Sequence, residues 1–413
     1  MHHRHSIFFC FEPRNALQAL EFLRSHGVDL SLLSQCGGHS APRTHRPRTA
    51  SSTGVEVIKA LSSAAARAHV RVLNGSRVDR VEFCRYSTGS SACGVHMAPA
   101  AFVAAAAVVI ATGGFGANKT ALAEYVPHVK DLPTTNGAFA QGDGIRLGLA
   151  AGGALRDMAH VQVHPTSFVD PASPAHPVKW LAPEALRGSG ALLLDAGCGR
   201  FVNELGYRST VSDAILKAGF DRGGYRSAFM VANARVEQLF NIAGIYKSKG
   251  FVVSYPNAQT AAAAMGCDAA ALERTLSAYG QPHSPDAFGK TVFPATFDVN
   301  EQLLVMIVTP AVHYTIGGLA ISARACMLSP AGACVPGVFA AGEVTGGVHG
   351  NNRLAGALAA ALQLQLQLQL QLQARSHTTV AGNGLLDNVV FGRRAGAAAA
   401  ALAAGVDNPN LEF

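Results

Sequence analysis

The spacing of apolar residues predicts two helices and two short strands near the start of the chain. Leucines recur at the helical period within residues 14–26, and Gly27 suits the position just beyond a helix end. Residues 55–68 continue the helical pattern. Two strand-like segments follow, at residues 70–73 and 77–83, and the alternation in the second predicts an antiparallel meander with one covered face.

Two further apolar runs predict strands that end in glycine-rich loops. Residues 102–111 are almost entirely apolar and stop at Thr112-Gly113-Gly114. An open α/β sheet places a cofactor at the end of such a buried parallel strand. Residues 337–340 form a shorter apolar run that leads into the string AGEVTGGVHGNNRLAG.

A change in composition along the chain predicts two domains. Residues 1–165 and 305–413 share the apolar strand segments. Residues 166–304 are richer in charged and aromatic residues, contain the single tryptophan and lack long apolar strands. We therefore predict a mixed α/β fold in which a smaller capping domain is inserted into a larger one.

From Ala357 the chain runs through alanines into alternating leucine and glutamine, which end at Gln373. A period of two favours a strand, whereas both residue types favour helices. The local structure of this low-complexity segment is therefore ambiguous.

Composition limits the class of protein. The 413 residues are 49% apolar and 14% charged, which is typical of a globular protein with room for two domains. A net charge of +7 is mild for this length, and no cluster of basic and aromatic residues predicts nucleic-acid binding. The longest apolar run, residues 98–112, is too short to span a bilayer.

The eight cysteines are scattered and include no C-x-x-C pair. This pattern favours free thiols over a disulfide framework or a zinc site, and no other metal-ligand pattern is present. We expect a soluble protein of a reducing compartment, either cytoplasmic or organellar.

The glycine cluster at residues 341–356 is the strongest indication of function. It places Glu343, His349 and Arg353 among five glycines. Glycines let backbone N–H groups approach a ligand closely, and one acid with two basic side chains suits an anionic, planar ligand.

Seven strings in this chain resemble those of one enzyme family. They are GGHSAPRTHRP, ATGGF, HPT, PEALRG, RFVNELGYR, HYTIGG and AGEVTGGVHGNNR. They resemble the FAD-dependent fumarate reductase and succinate dehydrogenase flavoproteins, in particular the soluble fumarate reductases. The resemblance implies FAD as cofactor and assigns residues 1–165 and 305–413 to a Rossmann-like FAD-binding domain.

Two departures from the family pattern are visible. No G-x-G-x-x-G fingerprint stands ahead of the GGHS string, so the FAD-binding domain is expected to be partial, with its amino-terminal half missing. Removing residues 357–382 would restore the family string NRLAG–NGLLDNVVFGR. We therefore predict an in-frame, low-complexity insert at residues 357–382.

The resemblance implies roles for six residues. His164, His313 and Arg353, predicted on three separate turns, would bind the carboxylates of fumarate. Arg208 would donate the proton, with Glu184 and Arg187 as its relay to solvent. Arginine stays charged at ordinary pH and can both donate a proton and stabilise negative charge. The alternative is that Glu184 and Arg187 form an ordinary exposed ion pair at helical i,i+3 spacing.

The resemblance also implies a set of FAD contacts. Asp143 has a second explanation, since it would serve equally as the N-cap of the helix that follows. Glu343 would hold flavin hydroxyls, because a buried carboxylate needs donors. The implied FAD contacts are Val78, Ala111, Thr112, Asp143, Glu343, Gly384 and Leu385.

These implications lead to one hypothesis and two alternatives. The hypothesis is a flavin-dependent oxidoreductase that transfers hydride from reduced FAD to fumarate and yields succinate. The alternatives are a truncated, inactive remnant of such an enzyme and a related flavoprotein that reduces enoates or ketosteroids. The electron donor is not identified, since the sequence holds no haem, iron–sulfur or nicotinamide motif.

Overall fold

The fold is mixed α/β and is known from a computed structural model. The structure describes residues 16–34, 36, 42, 44–48, 53–87, 89–240, 245–279, 285–349, 379–380 and 383–405. The predicted insert at residues 357–382 therefore lies outside the described residues except for 379–380. Arg353 also lies outside them. No helix in the described ranges combines the length and apolar character needed to cross a membrane.

Helices and strands alternate along the described chain. The helices are α1 (16–25), α2 (Thr53–Arg67), α3 (Lys119–Tyr125), α4 (Asp143–Ala150), α5 (Glu184–Gly188), α6 (Arg208–Ala218), α7 (Ala234–Phe240), α8 (Ile245–Ser248), α9 (Ala258–Met265), α10 (Ala269–Tyr279) and α11 (Asn383–Ala403), with a short 3-10 helix at Pro127–Val129. The strands are β1 (Leu32–Ser34), β2 (Thr44–Arg46), β3 (Val78–Tyr86), β4 (Gly89–Met97), β5 (Ala101–Ala104), β6 (Val108–Ile110), β7 (Leu155–Arg156), β8 (Val161–Phe168), β9 (Trp180–Leu181), β10 (Leu192–Leu194), β11 (Phe220–Arg222), β12 (Tyr225–Asn233), β13 (Val253–Tyr255), β14 (Leu303–Thr315), β15 (Gly318–Ala320), β16 (Cys326–Leu328), β17 (Cys334–Ala340), β18 (Thr345–Gly346) and β19 (Thr379–Val380).

The largest sheet has seven strands and carries the candidate site. Its main path runs β10-β12-β14-β8-β9, with β11 beside β12 and β13 beside β14, and all its pairs are antiparallel. Strand β14 is almost completely buried, and seven of the nine residues of β12 are buried. The prediction that residues 166–304 lack long apolar strands was therefore wrong for β12.

The pairing of β14 with β8 is interrupted twice. The first interruption lies at Pro310 of β14 and Pro165 of β8, where proline cannot donate a ladder hydrogen bond. The second leaves His313 as an extra residue between Val312 and Tyr314, both of which have partners on β8. Such a bulge redirects the side chain of the extra residue.

A second layer contains the glycine-terminated strands. In the sheet β16-β17-β6, β17 runs parallel to β6, with Val338 opposite Val108. The meander β3-β4-β5 packs on β17 so closely that a Cβ on Gly337 would lie 2.9 Å from the backbone nitrogen of Ala92. The predicted single strand at residues 102–111 is instead two strands, because the chain leaves the meander at β5 and joins the parallel sheet at β6.

The buried apolar residues form three clusters. The first draws on residues 16–163 and 312–399, whereas the second and third draw only on residues 168–308. Strands β8 and β14 run from one region to the other and contain the boundaries predicted at residues 165 and 305. The division into two domains at those boundaries stays a prediction.

Several local predictions can be compared directly. Helices α1 and α2 and the meander are confirmed, and Gly27 has a φ of +86° directly after α1. The strand predicted at residues 70–73 is wrong, because that segment is not paired. The N-cap of α4 is Gly142, with a φ of +79°, rather than Asp143, which is the first helical residue and pairs with Arg77 at 3.4 Å.

Four of the cysteines form disulfides, so the prediction of free thiols was wrong for them. Cys84 bonds Cys93 across the β3–β4 hairpin, where antiparallel pairing brings their Cα atoms within 5.7 Å. Cys198, in the turn after β10, bonds Cys267, just after α9. This pairing removes the basis on which a reducing compartment was expected.

The Cys198–Cys267 disulfide should contribute to stability. Because it closes a loop across 69 residues, Cys267→Ser should lower the free energy of unfolding by about 2–4 kcal/mol. The measurement is urea unfolding followed by circular dichroism. Cys334→Ser, at an exposed free cysteine, is the matched control and should change little. Equal effects of the two substitutions would contradict a stabilising role for the disulfide.

Candidate active site

Two histidines meet where β8 pairs with the carboxyl-terminal part of β14. His164 is opposite Ala311, and its ring lies 5.3 Å from the ring of His313, at an interplanar angle of 61°. The Nδ1 atom of His164 is 2.8 Å from the carbonyl oxygen of Thr166, and Nδ1 of His313 is 2.8 Å from the hydroxyl of Thr135. Both predicted residues lie on strands rather than turns, and both rings are held in place through Nδ1.

Arg208 reaches the same face of β8 as His164. It is the first residue of α6, and its Nη1 donates to Oε1 of Gln162 at 2.6 Å. Gln162 and His164 are two residues apart on one strand, so their side chains share a face. Nε and Nη2 of Arg208 both donate to Oε2 of Glu184, at 2.9 and 2.6 Å. The structure thus brings the predicted proton donor together with the first member of its predicted relay.

Glu184 and Arg187 form a buried pair rather than an exposed one. They lie one turn apart on α5 with 3.8 Å between charged atoms, and their side chains are 9% and 0% exposed. Burial lowers the pKa of Arg187, against the opposing charge of Glu184, and the positive charge of Arg208 lowers it further. Nη1 of Arg187 donates to the carbonyl oxygen of Glu204 at 2.6 Å, while Nε and Nη2 have no hydrogen-bond partner among the described groups.

A second buried ionic cluster lies behind Arg187, and sequence reasoning missed it. The carboxylate of Glu204 accepts from Arg200 at 2.8 and 2.9 Å and from Lys290 at 2.9 Å, and Arg200 also pairs with Asp286. Burial alone would raise the pKa of Glu204, but Arg200 and Lys290 outweigh it, so the pKa lies below its usual range. In the sequence, the i,i+4 spacing of Arg200 and Glu204 could have indicated an ion pair. Nothing in the sequence indicated that Lys290 joins it.

The glycine loop after β6 meets Glu343 at the end of β14. The Glu343 carboxylate accepts from the backbone N–H of Thr315 at 2.9 Å and from its hydroxyl at 3.1 Å. A Cβ on Gly114 would lie 2.0 Å from that hydroxyl, so only glycine fits there. Ala111 and Thr112 are exposed at the carboxyl end of β6. A glycine loop without side chains lets the backbone approach a flavin ring closely, and the neighbouring carboxylate can accept hydrogen bonds from the ribityl hydroxyls.

The glycine cluster also joins helix α11 through buried polar groups. Tyr314 donates to Oδ2 of Asp387 at 3.2 Å, and Nε2 of His349 is 3.5 Å from the same oxygen. Among the described groups, Nδ1 of His349 and Oδ1 of Asp387 lack hydrogen-bond partners. These unpaired atoms at the start of α11 fit a polar ligand such as a flavin at this junction.

The remaining predicted cofactor positions are only partly described. Gly384 and Leu385 lie in the first turn of α11. Val78 begins β3 and is partly buried, and Asp143 is at the surface beside Arg77. Arg353 is outside the described residues. The roles of all these residues stay predictions.

Comparison of this chain with known proteins shows the family to which it belongs. A family described as FAD binding domain matches residues 10–358. The chain belongs to the FAD-dependent fumarate reductase and succinate dehydrogenase flavoprotein family. It is 34% identical over 356 residues to a fumarate reductase of Schizosaccharomyces pombe, covering 80% of this chain and 66% of the relative. It is 36% identical over 353 residues to fumarate reductase 1 of Saccharomyces cerevisiae, covering 82% and 75%.

The fold agrees with a solved member of this flavoprotein family. The open conformation of a flavocytochrome c3 fumarate reductase matches with a TM-score of 0.68 and 30% identity, covering 95% of this chain and 64% of that one. The resemblance stated from the sequence motifs, the mixed α/β fold and FAD as cofactor are thereby confirmed. This chain spans about two thirds of the length of the proteins it matches.

The buried carboxylate of Glu204 should be a large source of stability. Because Glu204→Gln leaves the buried Lys290 without its counter-ion and Arg200 with Asp286 alone, it should cost about 3–5 kcal/mol in the free energy of unfolding. Glu237→Gln removes the more exposed pair with Lys247 and should cost about 0–1 kcal/mol. Denaturant unfolding measures both.

The same variant has a defined pH dependence. The folded-state pKa of Glu204 is lowered, so its contribution is complete above the unfolded pKa of about 4.3 and is lost as the pH falls through the folded value. Stability curves between neutral and acid pH should therefore converge for the wild type and Glu204→Gln only at acid pH. A constant difference down to the lowest pH would contradict this assignment.

Proposed function

We propose that this protein is a flavin-dependent fumarate reductase that produces succinate with Arg208 as proton donor. One observation carries the proposal: the face of β8 that holds His164, beside His313, also receives Arg208. Two imidazoles from neighbouring strands and a guanidinium from the start of a helix suit a small dianion. The relatives from two yeasts that bear the name fumarate reductase support the choice of substrate.

In this proposal the chain's own residues bind and protonate the substrate. His164 and His313 hold one carboxylate, and Arg353 holds the other. When bound, reduced FAD supplies the hydride for one alkene carbon. Arg208 delivers a proton to the adjacent carbon, so that fumarate, a hydride and a proton give the succinate dianion. The charge of the guanidinium also stabilises the negative charge that develops before the proton arrives.

The relay behind Arg208 explains how an arginine can act as an acid repeatedly. Glu184 accepts two hydrogen bonds from Arg208 and can return a proton to its neutral guanidine. Arg187 comes next, and the lowering of its pKa by burial makes its neutral form more accessible than that of an exposed arginine. The cluster at Glu204 holds Arg187 through the backbone carbonyl of residue 204.

Removal of the proposed acid tests the assignment. Arg208→Gln should lower kcat for fumarate roughly 10²–10⁴-fold, the range for loss of general acid catalysis. The assay uses a reduced viologen as electron donor, with the flavin absorbance band as a check on cofactor retention. Arg226→Gln is the matched control, because the side chain of that exposed arginine contacts backbone carbonyls in the last turn of α6, far from the start of the helix, and the variant should keep full activity.

Two results would contradict the proposal. An Arg208→Gln protein that keeps its flavin and more than a tenth of wild-type kcat would exclude Arg208 as the acid. Wild-type protein that carries stoichiometric flavin and reduces another enoate, but not fumarate, would exclude the substrate.

A further inference from the structure

A cavity of about 520 Å³ lies close to His313. Thr135 lines this cavity, and its hydroxyl contacts His313. The other walls come from the end of β8, strand β9 and the loop between them. Its volume is in the range of pockets that bind small organic molecules.

A buried lysine, Lys179, lines the cavity. Lys179 is 4% exposed, and among the described residues no carboxylate forms an ion pair with it. Its Nζ donates to the carbonyl oxygen of Pro174 at 2.6 Å and lies 4.8 Å from the ring centre of Tyr225. By contrast, the buried Lys290 pairs with Glu204 at 2.9 Å. A buried ammonium with no counter-ion is costly unless a ligand supplies one.

The aromatic groups around the cavity favour a ligand with an apolar body. Phe168 and Trp180 supply apolar walls. The carboxylate of Asp170 is engaged by the backbone N–H of Ala172 at 2.9 Å, and the ring of His176 is engaged by the backbone of Val178. Burial lowers the pKa of Lys179 to about 8, against the opposing charge of Asp170, so the ammonium is still mostly charged at neutral pH.

We propose that this cavity binds an organic carboxylate, with the Lys179 ammonium as its counter-ion and the rings of Phe168 and Trp180 against its apolar part. The site is separate from the pair His164 and His313, and it does not depend on which substrate the enzyme reduces. Thr135 is the link between the two sites. A ligand bound here lies one side chain away from the ring of His313.

The single tryptophan provides a direct measurement. Trp180 lines the cavity and is the only tryptophan in the chain, so its fluorescence reports on the site. The full-length protein is titrated with phenylacetate and, as the neutral match, phenylacetamide, with calorimetry in parallel. We expect phenylacetate to bind at least tenfold more tightly than the amide. Equal affinity for the two compounds would overturn the proposal. So would the absence of phenylacetate binding at concentrations up to about 10 mM.

Fumarate is the third probe, and it distinguishes two kinds of carboxylate ligand for the cavity. If fumarate displaces phenylacetate, the site accepts a second molecule of the substrate's class. If it does not, the site selects acids with a larger apolar part. Either result is compatible with a carboxylate at Lys179, provided that phenylacetate itself binds.

Four variants separate this site from its surroundings. Lys179→Met should weaken phenylacetate binding at least tenfold, and Lys179→Arg, which keeps the charge, should restore most of it. Lys249→Met is the matched control, because its Nζ lies 4.6 Å from the ring centre of Trp180 although Lys249 does not line the cavity. His164→Ala should leave phenylacetate binding unchanged. Unchanged affinity in Lys179→Met, or loss of binding in His164→Ala, would refute a separate site at Lys179.

Discussion

The antiparallel pairing of β14 with β8 is the constraint on which the candidate site depends. It places His164 opposite Ala311 and, through the bulge after Val312, turns the extra residue His313 towards the ring of His164. The same two strands position Gln162 for its contact with Arg208. A shift of register by one residue would move these side chains to the opposite face. The pairing therefore sets the geometry of the proposed chemistry.

Buried charge is the second feature that the structure has to accommodate. Glu184, Arg187, Glu204 and Lys290 are each less than a tenth exposed, which is costly for ionised groups unless they are paired. All four lie within 4 Å of an opposite charge, but Nε and Nη2 of Arg187 have no hydrogen-bond partner among the described groups. Arg187 is therefore the least completely satisfied of these buried charges.

Some neighbours in the fold could be predicted from the sequence, whereas several strand boundaries could not. Short strings of defined residue types singled out His164, His313, Arg208 and Glu184, and the structure pairs His164 with His313 and Arg208 with Glu184. The roles of these four residues stay predictions. The split of residues 102–111 into β5 and β6 was not predictable, because an all-apolar run does not indicate where a chain changes sheets. The Cys198–Cys267 disulfide was missed because its cysteines are distant in sequence. The Cys84–Cys93 disulfide was missed because the register of the hairpin that joins its cysteines was unknown.

By itself, the sequence determined the family and the cofactor, because these follow from residue types in short, ordered motifs. Only the tertiary structure decided which charges are buried, which are paired, and that Lys179 lines a cavity and forms no ion pair within the described residues. Burial and pairing depend on contacts between residues far apart in the chain, such as Glu204 with Lys290. Local patterns of sequence carry no information on such distances.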